Sequence, residues 1–440
     1  MSDTVPRGIV TRRRNAALTW TAVAAVVASS AASASGGDLL WAGLGLAAVG
    51  VAVVPVAAYR DWSATLPWEV VAFLAVPYAL QSLDLLLPRS VAAFLVVPAL
   101  ALALAVEFDA FTSVEMSASF AVLFVVTATM AAAGAWALVQ WVMDLALGTQ
   151  NLRGLSAVMW SLTAAAGAGV VAGLLFAGYF RRVDRERLGF WTASASGPSV
   201  ADRSRSATGP ASLASDSSAS SVSNSSAPGD DWLHLSPRRR RQVVRGLQLA
   251  LVGLLGVGLY RLDVGVVVNV AVALAVMELP ALLERDYGLP IDTRLTLWIV
   301  IPVFLHAIGS FGLYGVIGLW DNLTHTLSSS LVAAAGYATV RAFDVHDDDV
   351  VLPRKFVAVY ILIFTLAFGV LWEILEFGLD GLSSWTGTDS VLAQVSLANT
   401  MSDIFFDLLG GVLVAIWGAA YLAGVSRSLA DKLAAGEKSD

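Results

Sequence analysis

The chain has no cysteine, four histidines and few charges, with Asp, Glu, Lys and Arg making up 14% of its 440 residues. Without cysteine there is neither a disulfide frame nor a thiolate metal centre, so any metal must be held by nitrogen and oxygen donors. The shortage of charge beside 57% hydrophobic residues excludes a soluble chain, because the apolar residues fall in runs near the ~20 residues that span a bilayer. A net charge of −7 argues against a nucleic-acid partner, which calls for a basic surface. Familiar catalytic signatures are missing as well: there is no HExxH, no P-loop, no GxSxG and none of the arginine-bearing motifs of membrane lipid phosphatases.

What the chain does have is a series of about twelve apolar stretches, near 17–34, 39–58, 68–85, 90–107, 116–142, 154–179, 246–260, 264–283, 295–312, 322–341, 356–378 and 402–424. They predict an all-α integral membrane protein with about 12 transmembrane helices. The first stretch follows an arginine cluster, as in a signal peptide, but further spans follow at once, so it reads as the first helix. Basic residues gather at Arg12 to Arg14, at Arg181, Arg182, Arg185 and Arg187, and at Arg238 to Arg241. An even number of spans between the first two clusters puts all of them on one side, predicted to be the cytoplasm. The expected location is the plasma membrane, multi-pass, with both termini cytoplasmic and membrane lipids as partners.

Between about 183 and 236 the chain is rich in Ser, Ala and Asp and has no apolar periodicity, so it buries too little surface to offset the entropy of ordering. The expected organisation is a six-helix membrane half at 1–180, a disordered linker at 181–244, a second six-helix half at 245–425 and a cytoplasmic tail at 426–440. The halves look like copies in parallel. Setting Asp38 against Asp263 aligns Pro55 with Pro280, Arg60-Asp61 with Arg285-Asp286 and Pro77 with Pro302 without a gap, and after a small insertion Trp136 to Trp141 falls against Trp372 to Phe377. An even span count in each half implies a parallel repeat rather than an inverted one.

The copies differ in their ionisable residues. His306 falls on Gln81, Asp321 near Leu86, His325 near Ser90, Glu373 on Ala137, Glu376 on Gln140, and Asp403 and Asp407 near Ser156 and Trp160. The second half thus carries seven ionisable residues in or at the ends of four predicted helices. Asp321 with His325, Glu373 with Glu376, and Asp403 with Asp407 are three or four apart, so each pair shares a helix face. Followed from the basic side, all seven arrive at the opposite, outer end of the membrane. An acid at a helix centre costs about 2.5–3.5 kcal/mol on insertion scales, and five carboxylates together repel unless a cation or protons join them. The preferred resolution is a divalent metal ion held by His306, Asp321, His325, Asp403 and Asp407, with Glu373 or Glu376 as the catalytic general base. A metal-free hydrogen-bonded network and a cation or proton pathway are the alternatives. Asp321 and Asp403 also begin helices, where an acid caps without any ligand. The hydroxyl row Ser328 to Ser330 points to helix packing rather than nucleophilic attack.

These residues resemble the YjdF-type inner-membrane proteins, whose order of motifs appears here as Leu305-His306 with Gly309, Trp320-Asp321 to His325, Glu373 to Glu376-Phe377, and Asp403 to Asp407. The likeness covers about 245–425. The same order is similar, more distantly, to VanZ-like proteins, although Glu376 and Asp407 stand where those have amides. The 379–400 loop departs from the YjdF-type pattern. The resemblance implies a shared site without naming its chemistry. The expected function is a metal-dependent membrane enzyme acting on a lipid or lipid-linked envelope substrate at the outer leaflet. The alternatives are a cation- or proton-coupled transporter and a non-catalytic envelope component.

Overall fold

The computed structural model describes residues 13–82, 89–180, 237–286, 293–346, 350–388, 390–392 and 394–418. Among them the chain is predominantly helical and has no strand. In order it forms α1 (Arg13–Ser35), α2 (Leu39–Tyr59), α3 (Trp68–Ser82), α4 (Arg89–Phe111), α5 (Ala118–Leu147) and α6 (Leu155–Phe180). The second set is α7 (Pro237–Arg261), α8 (Val264–Asp286), α9 (Thr293–Ile308), α10 (Trp320–His346), α11 (Arg354–Thr386) and α12 (Leu397–Leu413). Nine spans among the described residues are long and apolar enough to cross a membrane, so the protein is an all-α, multi-pass membrane protein. The expected count of about twelve is not reached on length and composition. Helices α3, α4 and α10 fall outside that set, α3 because it has 15 residues. In α10 the polar run from Asp321 to Ser330 lowers the hydropathy. Most of the expected linker, 181–236, and the tail 426–440 lie outside the described residues, while residues 237–244 form the first turns of α7.

Helix ends follow local chemistry. Asp38, Ser117 and Ser396 cap α2, α5 and α12 by accepting from Trp41, Phe120 and Asn399, which satisfies donors that have no intrahelical partner. Gly148 and Gly387 end α5 and α11 at φ 66° and 70°, a left-handed conformation that glycine adopts without a Cβ penalty.

The two sets of helices meet along α5 and α11, which pack on each other, with α6 also touching α11 and α5 touching α12. At one end of this seam Glu115 and Val351 exchange backbone hydrogen bonds of 2.9 and 3.0 Å. Further along, Phe120 meets Phe356, Phe124 meets Tyr360 (ring centroids 6.2 and 6.5 Å) and Gly134 lies against Val370. Every one of these pairs has the same separation in sequence, the separation that also aligns Trp136 with Trp372. Phe120, Phe124 and Tyr360 are buried to the last few per cent, so the seam is closely packed and aromatic; within a bilayer it is van der Waals packing and ring contacts, not removal from water, that hold these helices together.

The corners match as well. Asp38 and Asp263 each follow a left-handed residue, Gly37 (φ 81°) and Leu262 (φ 56°). Each aspartate also receives a backbone donor three residues on, from Trp41 and Val266 respectively. Pro55 and Pro280 lie inside α2 and α8, and Pro77 and Pro302 inside α3 and α9.

A buried histidine–carboxylate site

Four helices bring their polar residues to one end of the second half, the end away from the arginine-rich start of α7. Helix α9 carries His306 two residues before it breaks. The break is a π-helical turn, Gly309–Leu313, in which Gly312 sits at φ 133°. The chain then makes one short helical turn at Tyr314–Val316 before α10 begins with Trp320 and Asp321. Helix α11 arrives from the other end and carries Glu373 and Glu376 in its second half. Helix α12 starts at this end, so Asp403 and Asp407 face inward on its second and third turns.

His325 is the hub. Its Nδ1 lies 3.1 Å from Asp407 Oδ1, while its Nε2 lies 3.7 Å from Asp321 Oδ1 and 3.9 Å from Asp403 Oδ1. The first distance is a hydrogen bond; the other two are too long for one. They are a little wider than the roughly 3.4 Å between neighbouring donors around a small divalent ion in tetrahedral geometry. One donor atom each from Asp321, His325 and Asp403 lie within 4.8 Å of one another, an arrangement that could hold a metal ion. Asp403 and Asp407 are 3% and 5% exposed. The Asp321 side chain, at 27%, is the member that opens outward.

Neighbouring residues fix this geometry. Asn399 donates 2.7 Å to the second oxygen of Asp321, and Ser402 donates to Asn322 at 3.2 Å. Helix α11 approaches Asp407 at Gly369, where an added Cβ would stand 2.7 Å from Oδ2. Helix α10 approaches α12 at Gly410, where a Cβ would overlap the Thr326 carbonyl and the Ser329 hydroxyl. The hydroxyl row does pack helices: Ser330 accepts from Trp298 Nε1 at 2.7 Å and Ser329 faces Gly410.

The other expected members sit around the hub. Glu373 is fully buried; its Oε2 accepts from Gln394 at 3.0 Å. Glu376 is half-buried and accepts from Trp372 Nε1 at 2.9 Å. His306 is not part of the three-donor group. Its Nδ1 pairs with the Tyr314 hydroxyl at 2.7 Å and its ring stands edge-on to Trp372 at 6.0 Å. Among the described residues, His306 Nε2, Glu373 Oε1, Gln394 Oε1 and Asp403 Oδ1 are buried without a hydrogen-bond partner. Buried polar atoms are nearly always paired, so several orphans in one site call for a ligand, water or ion. Gln81, which the sequence alignment sets against His306, is by contrast paired at both ends, accepting from Ser29 and donating to Ser33.

Asn399, Gln394 and Tyr314 escape a search for acids and histidines. Asn399 has a sequence signal, standing four before Asp403 as Asp403 stands four before Asp407. Gln394 lies in a loop without periodicity, and Tyr314 in the break, so neither has one.

Geometry and composition together define a polytopic α-helical membrane protein with a buried histidine–carboxylate centre. Residues 243–424 match the model of a family described as "Predicted membrane protein (DUF2238)", and residues 5–65 match one described as "Domain of unknown function (DUF8268)". The first match bears out the YjdF-type resemblance over the C-terminal half; the VanZ-like likeness has no such support. No curated protein and no solved structure matches the chain.

Proposed function

We propose that the protein is a metal-dependent membrane enzyme acting on a lipid or lipid-linked envelope substrate at the outer leaflet of the plasma membrane, with both termini cytoplasmic. The observation that carries this is the arrangement around His325. Two carboxylates flank its Nε2 beyond hydrogen-bond length, and one of them, Asp403, keeps a buried oxygen without a hydrogen-bond partner. Asp321, His325 and Asp403 are the ligands in this account. Asp407 fixes the His325 ring through Nδ1, the role such carboxylates take behind metal-bound imidazoles. A divalent ion would supply Lewis acidity and an activated water. Glu376, half-open where Glu373 is sealed, would be the general base. His306 and Tyr314 form the wall next to Glu376 through Trp372.

The twelve helices form two parallel six-helix repeats in this proposal. Its support is the seam, where residues meet their own sequence equivalents, as across a two-fold interface, and where the paired contacts of Gly134 and Phe120 run along parallel helices. One register differs from the alignment of sequence alone. Thr129 packs on Gly169 as Thr365 packs on Gly411, which sets Asp403 against Ser161 and Asp407 against Ala165. The first half then serves as scaffold, reaching the site through Met159, 3.4 Å from Gln394 Nε2.

Proteoliposomes of bacterial polar lipids test the enzyme reading. Metal-loaded protein is expected to convert a lipid into a new species resolved by mass spectrometry, and Glu376→Gln to retain the metal while losing at least about a hundredfold in rate. Cation flux across the vesicle without any lipid conversion would favour the transporter and contradict the proposal.

A further inference from the structure

The opposite end of the second half holds a second polar feature. Helices α7, α8 and the start of α9 enclose a cleft of about 540 Å³ whose charged lining is Arg240, Arg241, Arg245 and Arg285 against Glu278 and Glu284. Both acids are engaged from α7. Gln248 donates to Glu278 at 2.7 Å, and Arg240 lies 3.7 Å from Glu284 while also reaching Thr296 at 3.5 Å. With Arg240 paired to Glu284, the exposed Arg241 and Arg245 of α7 face Glu278, which Gln248 already engages, and two guanidiniums beside one carboxylate give this wall a positive balance.

Its position says what kind of anion fits. Helix α7 packs chiefly on α8 and α9, so it forms an edge of the bundle facing lipid. One turn beyond Arg245 and Gln248, Leu249 and Val252 are 71% and 52% exposed, continuing the charged cleft into an apolar track. A charged recess joined to an apolar track matches an amphiphile whose head is anionic. We propose that this cleft binds the headgroup of an anionic phospholipid in the leaflet on the side of the linker, with the acyl chains along Leu249 and Val252. Guanidiniums suit the phosphate because their planar fork bonds two of its oxygens at once, and basic pockets between helices at a membrane surface recognise such headgroups. The cleft lies at the far end of the helices from His325 and does not depend on the metal.

The test uses the full chain in neutral detergent, titrated separately with short-chain phosphatidylglycerol, short-chain phosphatidylcholine and inorganic phosphate while the thermal midpoint is followed. A ligand that binds the folded state raises that midpoint. The expected result is a saturable rise with phosphatidylglycerol and none with the other two. Arg241→Gln with Arg245→Gln is expected to shift the titration to higher lipid, about fivefold for each arginine. An equal rise with phosphatidylcholine, an equal rise with phosphate alone, or an unshifted titration in the double variant would overturn the proposal. Should that variant not fold, the parent decides the matter through salt. Raising ionic strength must weaken phosphatidylglycerol binding, and a salt-indifferent titration contradicts the cleft.

Discussion

Replacing His325 with alanine is expected to abolish stoichiometric metal and to lower the thermal midpoint of the purified protein. Among the described residues His325 is the one that faces all three aspartates, with Nδ1 bonded to Asp407 and Nε2 between Asp321 and Asp403. Without it the three carboxylates lose their bridging group as well as a ligand. An ion present at 100 to 1,000 times its Kd stabilises the folded state by roughly 2.7–4.1 kcal/mol, and that contribution disappears with the site. Asp407→Asn is the informative comparison. If Asp407 orients the ring rather than binding the ion, the metal remains at saturation and its affinity falls by about 10–100-fold. Metal content by elemental analysis and affinity by competition with a chelator separate the two. Equal loss in both variants would make Asp407 a ligand in its own right, as its spacing from Asp403 alone suggests.

Gly410→Val is expected to damage the fold itself. The glycine sits where α12 crosses α10, and even a Cβ would run into the Thr326 carbonyl and the Ser329 hydroxyl. A backbone carbonyl cannot rotate aside, so the helices must separate, and overpacking of this kind costs about 1–3 kcal/mol or more. The same displacement moves Asp403 and Asp407 away from His325. The variant should therefore show a lowered midpoint and weakened metal binding together, measured on protein in the same detergent. A stable variant with unchanged metal affinity would mean that the α10–α12 crossing does not set the site.

Much of the site was legible because a membrane charges a high cost for ionisable groups, so His325, Glu373 and Asp407 stand out from the apolar background. Spacing at three or four residues placed each pair on one helix face, and the count of spans brought all four helices to the same end. What spacing does not encode is how those faces cross. That Nε2 rather than Nδ1 of His325 meets Asp321 and Asp403, and that His306 turns to Tyr314, follow from the crossing of α10 with α12 and from the break at Gly309–Leu313. Glycines permit such a break without requiring it. The register proposed for α12 against α6 was also hidden, since the loop after α11 obscures any alignment; the Thr365–Gly411 contact is what supports it. The cleft at Arg240 was visible only as a basic cluster that marks a side of the membrane, because its walls come from α8 and α9, distant in sequence.

The most direct measurement of the central claim is the metal content of the unmodified protein, purified without chelator, beside that of the Asp321→Asn, Asp403→Asn double variant. These two carboxylates and His325 are the group whose donor atoms lie within 4.8 Å of one another. The account predicts about one transition-metal or Mg²⁺ ion per chain in the parent, none in the variant, and a thermal midpoint that falls with chelator in the parent alone. A parent that is metal-free, gains no stability from added Zn²⁺, Mn²⁺ or Mg²⁺ and ignores the chelator would contradict it, leaving the cluster a hydrogen-bonded network.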